Sequence, residues 1–388
     1  MTFRSRLLAG LMLAVPALLT TEEALGDDSD LAFRLRTEIT GYQDSDATSV
    51  LTPGVRAEVD GVTGGWAVGA SFLVDVVTAA SVDIVATASP KWTDTRYVPG
   101  LDARFTVGDV KLSAAAGGSI ESDYFAGSGT LGMSVDLESK SITPAFSYGF
   151  GYDIAGRRDT PLSIYALELM RHSFAANVTF VVNKATIFVP AFAAVFELGD
   201  QEKPYRYLPT FSAGTVIAAG ASRQDVDLAR TSVRLAENTP DLRQRYSLSG
   251  LVAHRFGSAT LRLEERLYVD DWLLMATTTD ATIPVDIGSS FRLWPHIRFH
   301  AQKGVSFWES AYIIEENAQG VVAPQLRAGD RELGPLIAAT GGAGFRVGGD
   351  RVGFTVSADA IYSRFLDHLF IQDRIAGFGA VVLDVEVQ

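Results

Sequence analysis

The chain has 388 residues, 47% of them hydrophobic and 20% charged, with 36 Gly, 14 Pro and no Cys. That composition excludes a disordered or collagen-like chain, a disulfide scaffold, a cysteine-ligated metal site and a thiol nucleophile. The 33 Lys and Arg against 46 Asp and Glu give a formal charge of -13, the wrong sign for tracking a phosphate backbone, so no nucleic acid partner is expected.

At the N-terminus Arg4 and Arg6 precede an apolar run from Leu7 to Leu19, and Ala24 and Gly26 supply the small residues of a cleavage site. This is the anatomy of an export signal over 1–26, with the mature chain over 27–388. The run is too short to span a bilayer, and no later run reaches the roughly 18 to 20 apolar residues that a spanning helix needs.

Past residue 30 one pattern repeats, an alternating segment followed by a polar or glycine-bearing break. Leu31, Phe33, Leu35 and Ile39 alternate with Arg34, Arg36, Glu38 and Thr40. Farther on, Ile142, Pro144, Phe146, Tyr148, Phe150 and Tyr152 alternate with Thr143, Ala145, Ser147, Gly149, Gly151 and Asp153. Near the end, Val352, Phe354, Val356 and Tyr362 alternate with Gly353, Thr355, Ser357 and Asp359.

The segments predict strands at 30–44, 47–60, 64–77, 91–107, 109–121, 123–138, 140–153 and 165–182. The second half adds 184–199, 242–256, 258–271, 273–288, 289–303, 331–347, 350–365 and 371–387. Short turns near 60–65, 107–110, 137–141, 182–186, 255–259, 287–290 and 347–351 alternate with connections that are often longer, such as 77–90, 155–166, 200–242 and 303–330. Such alternation, together with charges on the polar face that no sandwich core would accept, predicts an all-β chain. The expected fold is a transmembrane antiparallel up-and-down β-barrel of about sixteen strands, fourteen being the rival count.

The polar face near 258–303 carries Arg262, Glu264, Arg266, Arg292, His296, Arg298 and His300, the candidates for lining a solute path. Further inward candidates are Arg56, Glu58, Asp94, Arg96, Asp102, Arg104, Arg243, Arg245, Arg374, Asp384 and Glu386. Two readings stand: arginine and histidine groups that favour anionic solutes, or acids and bases that pair with one another and fill the barrel. Glu265 breaks the alternation, which puts it in lipid unless a bulge or a loop-level position moves it.

Catalysis is not expected. His172 and Ser173 are strand neighbours that point to opposite faces, and His296 and His300 stand roughly 13 Å apart along a strand, too far to share a metal. Asp270 with Asp271, Glu315 with Glu316 and Asp330 with Glu332 are acid pairs that suit Ca²⁺ in loops or simple solvation. The expected inventory is no metal and no cofactor.

The 200–242 connection is too long to be a turn. Its residues Asp200, Lys203, Tyr205, Arg206 and Tyr207 are candidates for a constriction, lid or surface contact. In the 303–330 connection Phe307, Trp308 and Tyr312 suit an interfacial aromatic girdle. The tract 74–90, with Asp75, Thr78, Ser81 and Asp83 among small apolar residues, suits a plug segment.

The runs GDQEKPYRYLP at 199–209, LRLEERLYVDDW at 261–272, LWPHIRFHAQKGVSFW at 293–308 and GDRELGPL at 329–336 resemble a family of Gram-negative outer-membrane proteins. The stretch VDVVTAASVDIVATASP at 74–90 is similar to that family's N-terminal signature. The family is a domain of unknown function, numbered thirty-five seventy. The resemblance implies an outer-membrane barrel and supplies no reaction, substrate or catalytic residue. The chain ends Val385, Glu386, Val387, Gln388, without the terminal aromatic common in barrel assembly signals.

The expected function is a passive or gated outer-membrane channel for small polar solutes, with outer-membrane lipid and a small polar solute as partners. The alternatives are a closed barrel that works through its outer loops as a binding or structural protein, and a barrel-embedded lipid hydrolase. The sequence leaves the oligomeric state open.

Overall fold

The computed structural model describes residues 30–79, 92–318, 320–349 and 351–387, so the export signal read over 1–26 lies outside the described residues. Sixteen antiparallel strands among them form one closed barrel of the outer-membrane type. The first eight are β1 (Leu31–Asp44), β2 (Ser49–Gly61), β3 (Trp66–Ala79), β4 (Trp92–Val107), β5 (Val110–Ile120), β6 (Tyr124–Val135), β7 (Ile142–Ala155) and β8 (Leu167–Asn183). The others are β9 (Thr186–Gly199), β10 (Leu242–Phe256), β11 (Ala259–Asp270), β12 (Met275–Thr282 with Val285–Ile287), β13 (Phe291–Lys303), β14 (Leu336–Gly348), β15 (Val352–Phe365) and β16 (Asp373–Val387). Each strand pairs with its sequence neighbours, and β1 pairs with β16 to close the ring.

The expected count of sixteen holds, and most boundaries agree within a few residues. β12 is interrupted at Ile283 and Pro284, where proline has no N–H to give to the ladder. β14 begins later than read, because Asp330 caps a single 3₁₀ turn at Arg331–Leu333 before the strand starts. Of the tract expected to plug the barrel, residues 74–79 instead continue β3, and 80–90 lie outside the described residues.

The short turns read in the sequence all fall at one end. There the β4–β5 and β10–β11 hairpins turn on Gly108 and Gly257, both at φ +59, the left-handed conformation that two-residue hairpins require. The other end carries the long connections. Paired residues share a face, so the ladders sort every strand into a wall side and a lumen side. On the outer wall Leu101 is 63% exposed, and Leu131, Ile297, Phe299 and Ile375 are exposed likewise, a belt that lipid covers at no cost and water does not.

Toward the long-loop end of the wall, Tyr148 bonds His172 Nδ1 at 2.8 Å, and Phe150, Phe174, Phe196 and Tyr246 continue a band of ring contacts across β7 to β10. This is an aromatic girdle, and it is not the one expected. Tyr312 is 1% exposed, its hydroxyl donating toward Phe307 O and Ala328 O, while Phe307 and Trp308 pack around Trp272, Leu274 and Val305. Those three aromatics hold the loops together instead.

Candidate functional site

Near the short-turn end the lumen charges are paired. Arg34 meets Asp60 at 2.5 Å, Glu386 at 2.8 Å and Glu58 at 3.4 Å. Arg56 binds Asp102 and Glu58, Arg104 reaches Glu58 at 2.6 Å, and Arg346 reaches Asp384 at 2.8 Å. Most inward charges singled out in the sequence are therefore satisfied by neighbouring strands, as charges removed from bulk water must be.

The wall of β11 to β13 differs. Arg266 pairs with Glu264 at 2.9 Å, and Arg292 with Asp286 at 2.5 Å. His296 sits between Asp280 at 3.1 Å and Asp359 at 2.8 Å, with one carboxyl group against each ring nitrogen. Asp359 reaches His296 across β14 because Gly342 lies between them, where a Cβ would collide with the carboxylate. His300 contacts Thr278 at 2.8 Å and Gln302 at 3.4 Å. Arg262 and Arg298, both exposed to the lumen, form no ion pair among the described residues. On another flank, β5 to β8 present only small residues at mid-depth, Ser113, Ala115, Gly117, Thr130, Gly132, Ser147, Gly149 and Ala175, with Lys111, Asp153 and Arg171 toward the strand ends.

A cavity of ≈ 1130 Å³ occupies the long-loop half of the lumen. Of the candidate lumen residues, Arg266 and His300 line it, whereas Arg262, Glu264, Arg292, His296 and Arg298 lie deeper toward the short turns. Its wall includes a network of which the sequence singled out only Arg245: Arg171 joins Asp153 at 3.0 Å and Glu197 at 3.1 Å, and Arg245 joins Glu197 at 2.6 Å. The available signal was parity, since Arg171 and Glu197 both fall on the inward positions of their strands.

The segment 200–206 roofs this cavity, and Asp200, Lys203, Tyr205 and Arg206 all line it. Tyr207 does not; it starts the loop strand Tyr207–Ser212. The Tyr205 hydroxyl donates to Asp123, between β5 and β6, and accepts from Arg158 N at 2.5 Å. Its neighbour Arg206 binds Asp330, just before β14, at 2.5 Å. Those anchor points stand eight strands apart in a ring of sixteen, so two consecutive residues are tied to opposite sides of the mouth. Glu237 fastens the strap further, accepting from Lys203 N at 3.1 Å and from Gly329 N at 2.8 Å.

Above the strap the long connections build a cap. Tyr207–Ser212 pairs with Arg234–Ala236 and, in parallel, with Tyr312–Asn317, which also pairs with Gly320–Val322. A short helix, α1 (Arg223–Ala229), starts on a Ser222 and Asp225 capping box and packs Val226 against Phe211 and Leu369. No group of three or more metal-type ligands occurs among the described residues. Of the acid pairs read as Ca²⁺ candidates, Asp270 is committed to Arg243 and Asp330 to Arg206.

The strap's two carboxylates titrate differently. Burial pushes Glu237 up, despite the nearby Arg206. Burial also opposes the charge of Asp330, but Arg206 outweighs it and holds that carboxyl below its usual value. Charged Glu237 thus costs stability that returns as the pH falls through its raised value. Asp330 contributes stability above its unfolded value and loses it only as the pH falls through the depressed one. Amides of 200–206 are therefore expected to keep their hydrogen-exchange protection, corrected for intrinsic rates, through mildly acidic pH and to lose it below the ordinary Asp range. Loss of protection already in mild acid would contradict the Arg206–Asp330 anchor.

The sequence has no match among proteins of curated function. Among solved structures, the chain is similar to the siderophore receptor PirA from Pseudomonas aeruginosa, at 8% identity and TM-score 0.44, covering 90% of this chain and 61% of that one. It is similar to CdiB from Acinetobacter baumannii at 9% identity and TM-score 0.45, covering 92% and 60%. The outer membrane protein opdK from Pseudomonas aeruginosa matches at 7% identity and TM-score 0.43, covering 94% and 100%. The chain thus spans about 60% of the length of PirA and CdiB. Residues 171–348, which contain the runs at 199–209, 261–272, 293–308 and 329–336, match the family described as a protein of unknown function, DUF3570.

Proposed function

We propose that this protein is an outer-membrane channel for small polar solutes, preferring anions, with segment 200–206 as its constriction. The observation that carries the reading is the strap: Tyr205 and Arg206 are fixed to opposite sides of the mouth above a cavity lined by charged side chains. The preference for anions rests on Arg262 and Arg298, whose charge is not spent on a neighbouring carboxylate. Outer-membrane lipid surrounds the apolar wall. The signal-like segment 1–26 supports export, and the reading calls for no catalytic step and no cofactor.

The test is single-channel recording of the refolded chain in a planar bilayer. Discrete current steps are expected. Arg206→Ala, which releases one end of the strap, is expected to raise the conductance of each step on the order of twofold, because the constriction sets the resistance. A folded, inserted protein that passes no current would overturn the channel. The cap, with its own core around Phe211, favours a second reading in that event, a closed barrel that binds through its outer surface.

A further inference from the structure

Glu265 is the residue that strict alternation puts in lipid, and the structure leaves it there. β11 runs in unbroken register with β10 and β12, without a bulge to turn the side chain inward. Glu265 is the seventh of the twelve residues of β11, so it stands near mid-depth, exposed on the outer wall between exposed Leu263 and Leu267. Thr277 donates to one carboxylate oxygen and Thr279 to the other, both from β12 on the same face. Exposed Met275, Ile297 and Phe299 rim the group.

A carboxyl group at mid-depth has neither water nor lipid headgroups within reach, and hydrocarbon offers it no hydrogen bond. Two threonine hydroxyls fill one lone pair on each oxygen and leave the others empty. We infer that this wall is the contact between two copies of the chain, with the Glu265 carboxyl groups meeting across a two-fold axis. A second copy is the occupant because the patch is its own complement. Two carboxyl groups brought together share a proton and so lose their mutual repulsion, each is held in place by its own Thr277 and Thr279, and the apolar rim of one copy meets the apolar rim of the other. The inference rests on the outer wall facing lipid and does not depend on whether the lumen conducts.

The chain has no cysteine, so a single introduced thiol reports position without background. Leu267→Cys lies at the edge of the patch, and Leu101→Cys on β4 lies seven strands away, across the ring of sixteen. Both variants, recovered from the membrane fraction, would be treated with a short bis-maleimide. Leu267→Cys is expected to cross-link as a dimer about tenfold more than Leu101→Cys at equal protein concentration, because a standing contact raises the local thiol concentration. Adding Glu265→Leu, a substitution that suits lipid, should lower the yield to the Leu101→Cys level. Adding Glu265→Gln should preserve it, since facing amides pair as carboxyl groups do. Equal yields at positions 267 and 101, or undiminished cross-linking with Glu265→Leu, would overturn the inference.

Discussion

Replacing Arg243 with Leu is expected to cost about 3 to 5 kcal/mol of barrel stability, the usual result of stranding the partner of a buried ion pair. Asp270 has a fully buried side chain, and Arg243 gives it bonds of 2.6 and 2.9 Å while its guanidinium lies 4.3 Å from the Trp272 ring. Without Arg243 the carboxylate keeps only the Tyr268 hydroxyl at 3.0 Å and Leu274 N at 2.9 Å. The double variant Arg243→Leu with Asp270→Asn should recover most of the loss, because the amide removes the stranded charge and its oxygen still accepts from Leu274 N. Denaturant unfolding of the barrel in lipid vesicles measures both. A double variant as unstable as the single one would show that the packing of Trp272 on the guanidinium dominates, not charge.

The other large effect is expected on ion preference. Arg262→Glu together with Arg298→Glu changes the lumen charge by four units at positions that form no ion pair, so the channel should turn from preferring anions to preferring cations, a several-fold change in permeability ratio. Reversal potentials under a salt gradient give the ratio directly. The same change at Arg292, which is engaged by Asp286, should do less than at Arg298. The preference should also shrink in about 1 M salt, where the screening length falls to roughly 3 Å. An unchanged ratio would remove these two residues from the solute path.

The barrel was legible because its signal is local. Alternation with period two marks each strand, and turn residues mark each end, so Ile142 to Ala155 can be read without knowing any other part of the chain. Parity also gave the face of each charge. It could not give the partner: Arg34 bonds Glu386, 352 residues away, and nothing local distinguishes it from Arg298, which forms no ion pair. The cap was opaque for the same reason. Tyr207–Ser212 finds Tyr312–Asn317 only once the barrel has brought the two loops to one rim. Phe307, Trp308 and Tyr312 suit a girdle or a loop core equally well as composition, and tertiary position decides between them. Glu265 is the instructive exception, since the local rule placed it correctly and no bulge moves it inward.

The bareness of β5 to β8 sets the shape of the passage. At mid-depth the small residues of β5 to β8 leave space on their flank that the long arginine side chains of other strands occupy on theirs. A solute descending the proposed path has hydroxyls and bare backbone on one flank and guanidinium groups on the other. Its carboxylates turn to one side and its neutral parts to the other, so the wall that orients it is not the wall it slides along.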